Sequence, residues 1–581
     1  MTRRIALEDV YKGYTVDQDK WIPPEETVLR FRERLERIEL DVLEDTVRID
    51  NGRLGIPVYF SLCGRDAEEI IGTRKQMGKG GTPTQAEASA VMELAERFSF
   101  FSFTAEPGNF VVDDYRNLAD RALPFEDIAR SVHEEDEDLE RARKAFERLP
   151  MRWCAAYNLT RREEVLVPFD WFFAINEFNG PSAGNCAEEA LLQGICEVVE
   201  RHVSSLVSRG RMRTAALRLE GVRDELVRDM LGKYGNAGVR LYPTDFTLGM
   251  GIPSVGVLAW DPATFPERSE MVWTAGTTPS PEKALSRALT EVAQLAGDFN
   301  SGSNYVASGL PKLRSPEEAD FVINPGREID LGSLPDLSDP NLRVEVENCL
   351  SALSDGGFEV IAVETTHPLL QVPAFYTIIP GAHFRERAAG TSVGMFTAKL
   401  IAEQGPPHWA LNELERLDAL LPGKYYIRFF QGLCLLSLGD PEGALERLRE
   451  AIDLAPKPED LPSIYSYMGQ CLKELERYRE AIRVLAKGER LDPERTDIHN
   501  LRGFCHFKLK EHEEAVESFR KVLELDPSSA VDYANIASNY REMGDRENAI
   551  RYYRIALELD PGIEFARESL NRLEGKRDRK P

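Results

Sequence analysis

Glutamates at helical spacing inside otherwise apolar segments are the side chains of this sequence best suited to chemistry. In QAEASAVMELAERFSFFSF, the i, i+4, i+7 positions of one helix face are occupied by Ser89, Glu93 and Glu96. A longer polar stripe in NCAEEALLQGICEVVERHVSSLV consists of Asn185, Glu189, Gln193, Glu197 and Glu200, followed by Arg201. A third stripe, in PEKALSRALTEVAQLAGDF, consists of Arg287, Glu291 and Gln294. The spacing therefore predicts three helices that each carry carboxylates on one face.

Carboxylates that share a confined space repel one another, and burying them is costly unless they are paired or bound to metal. If the three stripes converge, they gather at least five glutamates, with Arg201 and Arg287 as the motif cations that offset them. Mg²⁺ prefers oxygen ligands and commonly binds together with phosphate, while amides and arginines suit a nucleotide. The stripes predict a site for magnesium and a nucleotide where the helices meet. For any one helix alone, a plain amphipathic surface helix is the alternative.

A glycine-rich segment, GTRKQMGKGGT at 72–82, resembles a phosphate-binding loop but does not fit the Walker pattern. That pattern needs four residues between its glycines and Ser or Thr after the lysine. Here five residues separate Gly72 from Gly78, and Gly80 follows Lys79. We therefore expect the nucleotide to lie at the helices and not at this loop.

Other conventional motifs are weak or missing. The segment GPSAG at 180–184 matches the G-x-S-x-G pattern of serine hydrolases, but no partner histidine is identifiable. We interpret SAGN instead as a turn that presents backbone N–H groups at the start of the second helix. The eight histidines lack zinc-site spacing, and no dinucleotide-binding fingerprint is found.

Composition limits the compartment and the partners. The net charge of −26 argues against nucleic acid or an anionic membrane as a partner. The eight cysteines are scattered without a CxxC pair, and neither a signal peptide nor a long apolar run is present. These features predict a cytoplasmic protein.

Residues 1–400 show an alternating organisation. Short β-rich segments at 56–62, 167–173, 252–260 and 372–379 are separated by helical stretches. This pattern predicts an α/β (α+β) domain. The acidic run 133–149 is interpreted as a solvated surface helix, and 401–424 as a linker with a leading helix.

Beyond residue 420 the sequence repeats. Helix-ending prolines recur at spacings of 37, 34 and 34, at Pro456, Pro493, Pro527 and Pro561. Small residues precede them by 24 positions, at Gly432, Gly469, Gly503 and Ala537, and alanines by 12, at Ala444, Ala481, Ala515 and Ala549. The pattern resembles tetratricopeptide repeats and predicts an all-α solenoid of about four repeats over 425–572, followed by a basic tail at 573–581. Its concave face would serve protein binding or dimerisation; the alternative is a purely structural extension.

The joint order and spacing of the three stripes resemble the signature motifs of the YcaO family, over roughly residues 10–395. The resemblance implies a YcaO-type fold that binds ATP and Mg²⁺. Carried over by motif, the magnesium ligands would be Glu93, Glu96, Glu197, Glu200 and Glu291. The ATP-binding residues would be Lys20, Thr27, Ser89, Asn185, Glu189, Arg201, Arg287 and Gln294, together with Lys79 for its place in the glycine-rich turn. No catalytic residue is identified.

YcaO enzymes activate a backbone amide of a protein or peptide by phosphorylating its oxygen with ATP. The opening KGYTVDQDKWIPPEET and the run GKGGTPTQAEASAVMELAERFS resemble the thioamide-forming branch, which uses a sulfur donor and often a TfuA-like partner. Azoline formation, as in cyclodehydratases, is less favoured because the chain lacks the proline-rich C-terminus of those enzymes. A further alternative is an ATP-binding accessory protein whose repeats recruit or assist a ribosomal-protein methylthiolation system. The last alternative is that the three glutamate helices are purely structural and that only the repeats have a function.

Overall fold

The computed structural model describes residues 4–132, 138–299, 310, 312–383, 391–526 and 529–575. The chain forms two compact units, the first comprising Met1–Glu135 with Glu147–Ser392 and the second Asp136–Phe146 with Val393–Pro581. The sequence-based limit at residue 400 lies inside a helix of the second unit. Within the described residues, no helix is long and apolar enough to cross a membrane.

Strands and helices alternate along the first unit. The strands are β1 (Leu43–Arg48), β2 (Val58–Cys63), β3 (Lys75–Lys79), β4 (Phe110–Asp113), β5 (Met151–Asn158), β6 (Glu163–Pro168), β7 (Pro181–Ala183), β8 (Ala216–Arg218), β9 (Arg240–Asp245), β10 (Ser254–Trp260), β11 (Val272–Thr277), β12 (Glu328–Asp330), β13 (Ile361–Glu364) and β14 (Ala374–Ile378).

The α-helices of both units, in chain order, are α1 (Pro24–Leu35), α2 (Arg65–Ile71), α3 (Pro83–Ala105), α4 (Tyr115–Leu118), α5 (Phe125–Ala129), α6 (Leu139–Phe146), α7 (Phe169–Asn176), α8 (Ala187–Arg209), α9 (Glu225–Asn236), α10 (Pro281–Leu295), α11 (Asp320–Ile323), α12 (Leu342–Asp355), α13 (Val393–Gln404), α14 (Pro407–Leu420), α15 (Tyr425–Ser437), α16 (Pro441–Asp453), α17 (Leu461–Glu474), α18 (Tyr478–Leu491), α19 (Thr496–Lys508), α20 (His512–Leu525), α21 (Ala530–Glu542), α22 (Arg546–Leu559) and α23 (Glu564–Glu574).

Three sheets form the first unit. Their strand orders are β1-β2-β3, then β11-β10-β9-β8-β12, then β4-β5-β13-β14-β7 with β6 beside β5. Strands β8 and β12 pair in parallel, whereas the other neighbouring strands are antiparallel. The three predicted glutamate helices are confirmed as α3, α8 and α10, and each lies against strands: α3 on β2 and β3, α8 on β7 and β14, and α10 on β10 and β11.

Two glycines let helices approach their sheets closely. A Cβ atom at Gly78 of β3 would collide with the backbone of Ala90 in α3. A Cβ atom at Gly276 of β11 would collide in the same way with Ala284 in α10. These contacts bring two of the glutamate helices against their sheets at backbone distance.

Three of the four predicted β-rich segments are confirmed, and each strand begins directly after a proline: β2 after Pro57, β10 after Pro253 and β14 after Pro373. The prediction of a strand over 167–173 is wrong, because β6 ends at Pro168 and helix α7 begins at the next residue. Helix α7 is buried on most sides, so its near-continuous run of apolar residues did not distinguish helix from strand.

The second unit is helical throughout its described residues. Helices α15 to α22 form four antiparallel pairs, and α23 packs on α22. The predicted small residue Gly469 lies against Leu485 of the paired helix. Helices α16, α18 and α22 end two or three residues before a predicted proline, whereas Pro527 lies outside the described residues. The all-α repeat domain predicted from the sequence is confirmed.

The acidic run 133–149 contributes α6 to the second unit, while residues 133–137 lie outside the described part of the chain. Ala142 and Phe146 of α6 are buried, and α6 packs against α13. The prediction of a fully solvated surface helix is therefore wrong for the face of α6 that carries Ala142 and Phe146. These two apolar residues are four positions apart, so they share one side of the helix and pack against α13.

Candidate active site

Helices α3, α8 and α10 converge on one open cavity in the first unit. The segment that precedes α1 and the end of β3 complete its wall. Nine of the residues predicted from the sequence line this cavity: Lys20, Thr27, Lys79, Ser89, Glu93, Glu96, Asn185, Glu189 and Arg287. Packing has brought together side chains from four separate parts of the sequence.

The other predicted residues stand outside the lining and support it; they are Arg201, Gln294, Glu197, Glu200 and Glu291. The Lys79 ammonium lies 2.5 Å from Oε2 of Glu291. The guanidinium of Arg287 donates to Oε2 of Glu200 at 3.0 Å. These two bonds hold the cationic side chains at the cavity wall.

The other residues behind the cavity wall, Arg201 and Gln294, make longer contacts. Nη2 of Arg201 lies 3.9 Å from a carboxylate oxygen of Glu197 and 3.9 Å from one of Glu200. The side-chain amide of Gln294 donates to the carbonyl of Met77 in β3 at 3.4 Å. Gln294 thus ties α10 to the strand that carries Lys79.

A further arginine, Arg97, shares the charge of the first stripe. Its guanidinium lies 3.0 Å from Oε1 of Glu93 and 3.5 Å from Oε1 of Glu96. The expectation that two motif arginines alone offset the carboxylates is wrong, because Arg97 and Lys79 do so as well. Arg97 directly follows Glu96 in the chain, and this adjacency was the available sequence signal.

Across the described ranges, no group of three or more His, Cys, Asp and Glu side chains is placed to hold a single metal ion. Mg²⁺ in nucleotide sites usually takes one or two carboxylates and completes its shell with phosphate and water. Glu93 and Glu96 line the cavity as such a pair. Their role as magnesium ligands stays a prediction.

Burial sets the electrostatics of the site. Burial, and next the neighbouring Glu93, raise the pKa of Glu96 well above its usual range. Burial also raises the pKa of Glu197, against the opposing charges of Arg201 and Arg97. A bound cation would stabilise the ionised form of a carboxylate buried in this way and so lower its pKa.

The Lys79–Glu291 pair responds differently. Burial lowers the pKa of Lys79 even though Glu291 opposes that shift. Burial alone would raise the pKa of Glu291, but Lys79 and Arg201 hold it below its usual value. The carboxylate of Glu291 is therefore the firmly ionised member of the pair.

Three buried polar atoms of the site lack a hydrogen-bond partner within the described part of the chain: Gln85 Oε1, Glu200 Oε1 and Arg201 Nε. Gln85 also lines the cavity. An unsatisfied buried group costs about 1–3 kcal/mol, so such groups favour a polar ligand. Unpaired donors and acceptors beside lysines, arginines and glutamates fit a nucleotide with its metal ion.

Glu189 fixes the segment that precedes α1. Its carboxylate accepts from the backbone N–H of Trp21 at 3.1 Å and from the side-chain amide of Asn185 at 3.0 Å. It also lies 3.6 Å from the Lys20 ammonium. Thr27 is buried nearby and donates to the carbonyl of Pro23 at 3.3 Å.

Asp17 is a cavity residue that the sequence argument missed. Its carboxylate accepts from the backbone N–H of Gly81 at 2.6 Å and from the hydroxyl of Ser286 at 3.1 Å. It therefore joins the N-terminal segment, the glycine-rich loop and α10. Lys79 and Gly80 of that loop line the same cavity as the three helices, so the loop lies beside the predicted helix site. Asp17 in TVDQDK is not part of a helical or strand repeat, so it gave no periodic signal.

The predicted turn SAGN differs from its interpretation. Its backbone N–H groups are used internally, since Gly184 donates to the carbonyl of Pro373 at 3.0 Å and Asn185 to the carboxylate of Glu189 at 3.3 Å. Helix α8 begins at Ala187, where the Sγ atom of Cys186 accepts from the Glu189 N–H. The turn positions Glu189, and its two N–H groups are not free for phosphate.

Comparison with known proteins identifies the first unit. A family model described as YcaO cyclodehydratase, ATP- and Mg²⁺-binding, matches residues 77–383, more than half of the chain. The chain belongs to the YcaO family. ATP and Mg²⁺ are the cofactors of that family, as predicted. Tetratricopeptide repeat models match 435–505, 496–529 and 533–563 of this YcaO protein, which confirms the repeats.

Two relatives match over most of their own length. An uncharacterized protein of Methanothermobacter thermautotrophicus is 29% identical over 387 residues, covering 62% of this chain and 94% of the relative. A protein of Rhizobium leguminosarum bv. trifolii, described as an uncharacterized protein in the tfuA 3′ region, is 23% identical over 398 residues, covering 64% and 90%.

One solved structure shares the fold, and a second is similar in sequence. A heterocyclase in complex with substrate and cofactor superimposes with a TM-score of 0.52 at 21% identity, over 66% of this chain and 55% of its own. This chain thus spans about half the length of that heterocyclase. YcaO from Methanopyrus kandleri bound with AMPPCP and Mg²⁺ gives a TM-score of 0.47 at 27% identity, over 65% and 95%.

Proposed function

We propose that this YcaO protein uses ATP and Mg²⁺ to activate a backbone amide of a protein or peptide, and that the product is a thioamide. The observation that carries the proposal is the single cavity lined by nine of the predicted residues. Its wall combines carboxylates with lysine and arginine side chains, which is the chemistry that a magnesium–nucleotide complex needs.

The residues at the cavity divide by charge. Glu93 and Glu96 would hold Mg²⁺, backed by Glu197, Glu200 and Glu291. The phosphates would be held by Lys20, Lys79 and Arg287, and the remaining nucleotide contacts would come from Thr27, Ser89, Asn185 and Glu189, while Arg201 and Gln294 would support the wall from outside the lining. When bound, ATP supplies the phosphoryl group that turns an amide oxygen into a leaving group, with Mg²⁺ neutralising its charge.

The chain's own side chains prepare this site by holding one another in place. Arg97 occupies the carboxylates of Glu93 and Glu96, so metal binding there must displace part of that ion pair. Glu291 holds Lys79, and Glu200 holds Arg287, which keeps both cations at the cavity wall. Such fixed charges stabilise the negative charge that moves during phosphoryl transfer.

Two observations favour a thioamide product over an azoline. One relative is described as lying in the tfuA 3′ region, which supports a TfuA-like partner and a sulfur donor for this chain too. In addition, the chain continues after Ser392 into tetratricopeptide repeats and not into the proline-rich C-terminus of azoline-forming enzymes. Such repeats bind proteins, so the second unit would hold the substrate or the partner.

A comparison of peptide masses in cells with and without the gene tests the reaction. Replacement of one oxygen by sulfur in a peptide identifies a thioamide and its substrate together, whereas loss of one water identifies an azoline. Absence of any gene-dependent mass change would contradict backbone modification and favour an accessory role.

Calorimetry on the purified protein tests the cavity separately. We expect magnesium-dependent ATP binding that Glu93→Gln weakens at least about tenfold, as loss of one charged contact does. Glu87→Gln is the matched control, because Glu87 lies on the same helix, pairs with Arg32 and does not line the cavity. Equal weakening by both variants, or no ATP binding by the parent, would reject this site.

A further inference from the structure

A second, smaller cavity adjoins the first. Four residues line both cavities: Gln18, Lys20, Glu189 and Gln193. The Lys20–Glu189 ion pair, at 3.6 Å, therefore lies at their common wall.

The floor of this second cavity is formed by Glu345 of α12. Its side chain is only 1% exposed. One carboxylate oxygen, Oε1, lies 2.5 Å from the Lys12 ammonium and accepts from the backbone N–H of Asp339 at 3.1 Å. The other, Oε2, has no hydrogen-bond partner among the described residues. A buried acceptor without a partner in a cavity wall is a place for a donor from a ligand.

The rest of the lining complements an amide. Gln193 accepts from Arg287 through its side-chain oxygen at 3.1 Å, so its NH₂ group is the part left to donate elsewhere. Lys20 adds a cationic donor, while Leu192 and Pro279 provide an apolar wall. An amide presents one acceptor and one donor, and this cavity offers both partners at the edge of the nucleotide site.

We propose that this second cavity receives the amide to be modified, and that the Glu345 carboxylate accepts the proton released when the product forms. The proposal rests on the proposed function. Hydrosulfide adds to the amide carbon, forming a C–S bond and moving the carbonyl electron pair onto oxygen. That oxygen takes the γ-phosphoryl group of ATP, and ADP leaves. Glu345 then takes the S–H proton as C=S forms and the C–O bond to phosphate breaks.

The environment of Glu345 suits proton transfer near neutral pH. Burial raises the pKa of Glu345 to about 7, against the opposing charge of Lys12. Asp19 raises it further, and the buried thiol of Cys349 lies beside it. Further titratable groups in the lining of this cavity are Lys20, Lys283, Glu189 and Cys196. A carboxylate with a pKa close to the working pH is an effective general base.

The test begins in cells that lack the gene and carry either the parent or Glu345→Gln. The readout is the fraction of the target peptide with sulfur in place of oxygen. If the parent restores no such peptide, the proposed function is overturned, and this proposal with it. If Glu345→Gln restores as much as the parent, only this proposal is overturned.

The peptide identified in this way, without its modification, then serves as substrate for the purified protein with ATP, Mg²⁺ and sulfide. We expect Glu345→Gln to lower kcat about 100-fold or more, with the Kd for ATP unchanged. At a constant concentration of hydrosulfide, kcat of the parent rises with pH through about 7, because the base must be ionised; that rise disappears in Glu345→Gln and persists in Glu345→Asp. An unaltered pH profile in Glu345→Gln would overturn the base role.

A second variant tests the cavity without changing Glu345, so the test does not depend on the folding of Glu345→Gln. Leu192→Phe enlarges a side chain that lines the second cavity but not the first. We expect it to raise the KM for the peptide at least tenfold while the Kd for ATP stays within twofold of the parent. An unchanged KM for the peptide would overturn the assignment of the cavity to the amide.

Discussion

The Lys79 ammonium and the Glu291 carboxylate lie 2.5 Å apart although 212 positions separate them in the chain. The contact joins the end of β3 to the middle of α10, so it connects the glycine-rich loop to the third glutamate helix. Both side chains are largely buried. A buried ion pair of this kind is strongly destabilised when one partner alone is removed.

Lys79→Met is therefore expected to lower the free energy of unfolding by about 3 kcal/mol, because it leaves the Glu291 carboxylate buried without its main counter-charge. It should also weaken ATP binding, since Lys79 lines the cavity. Denaturant unfolding and calorimetry measure the two effects. The double variant Lys79→Met, Glu291→Leu should regain part of the stability but none of the ATP affinity; full additivity of the two substitutions would contradict a coupled pair.

Gly78→Ala tests the close approach of β3 and α3. A Cβ atom there would overlap the backbone of Ala90, and backbone cannot move aside cheaply. We expect a loss of about 2 kcal/mol or more in the free energy of unfolding. Gly232→Ala is the control, because that glycine lies in α9 with open space around it; it should stabilise by about 0.5–1 kcal/mol.

Asp17→Asn tests the link between the N-terminal segment and the glycine-rich loop. An amide in place of the carboxylate removes the negative charge and leaves a single neutral oxygen to accept from the Gly81 N–H, since the NH₂ group can only donate. We expect faster amide hydrogen exchange at Gly81 and weaker ATP binding. Asp229→Asn, on an exposed face of α9, is the control; unchanged exchange at Gly81 would contradict the link.

Gly469→Val tests whether the repeats are stabilised independently of the nucleotide cavity. The added side chain would overlap Leu485 of the paired helix, and overpacking of this kind costs about 1–3 kcal/mol. We expect the second unit to unfold at a lower temperature while the Kd for ATP is unchanged. A loss of ATP affinity in this variant would show that the cavity depends on the repeats.

Much of the fold could be predicted because its signals are local. Ser89, Glu93 and Glu96 share a face by helical geometry alone, and the prolines of the repeats mark helix ends by chemistry alone. The segment 167–173 was missed because an apolar run buried on most sides has no usable period. Local sequence signals also could not predict the boundary between the two units, because α6 packs with helices that begin some 250 positions later in the chain.

The sequence by itself determined which glutamates face together on each helix, that four repeats stack, and, through the joint spacing of the motifs, the family. Only the tertiary structure decided which cation meets which carboxylate. Lys79 and Asp17 acquire their partners through packing of elements far apart in the chain. The contact of Lys12 with Glu345 spans 333 positions. The helical repeat fixes the direction in which each side chain leaves its own helix. The distance between side chains on different helices depends on how the whole core packs.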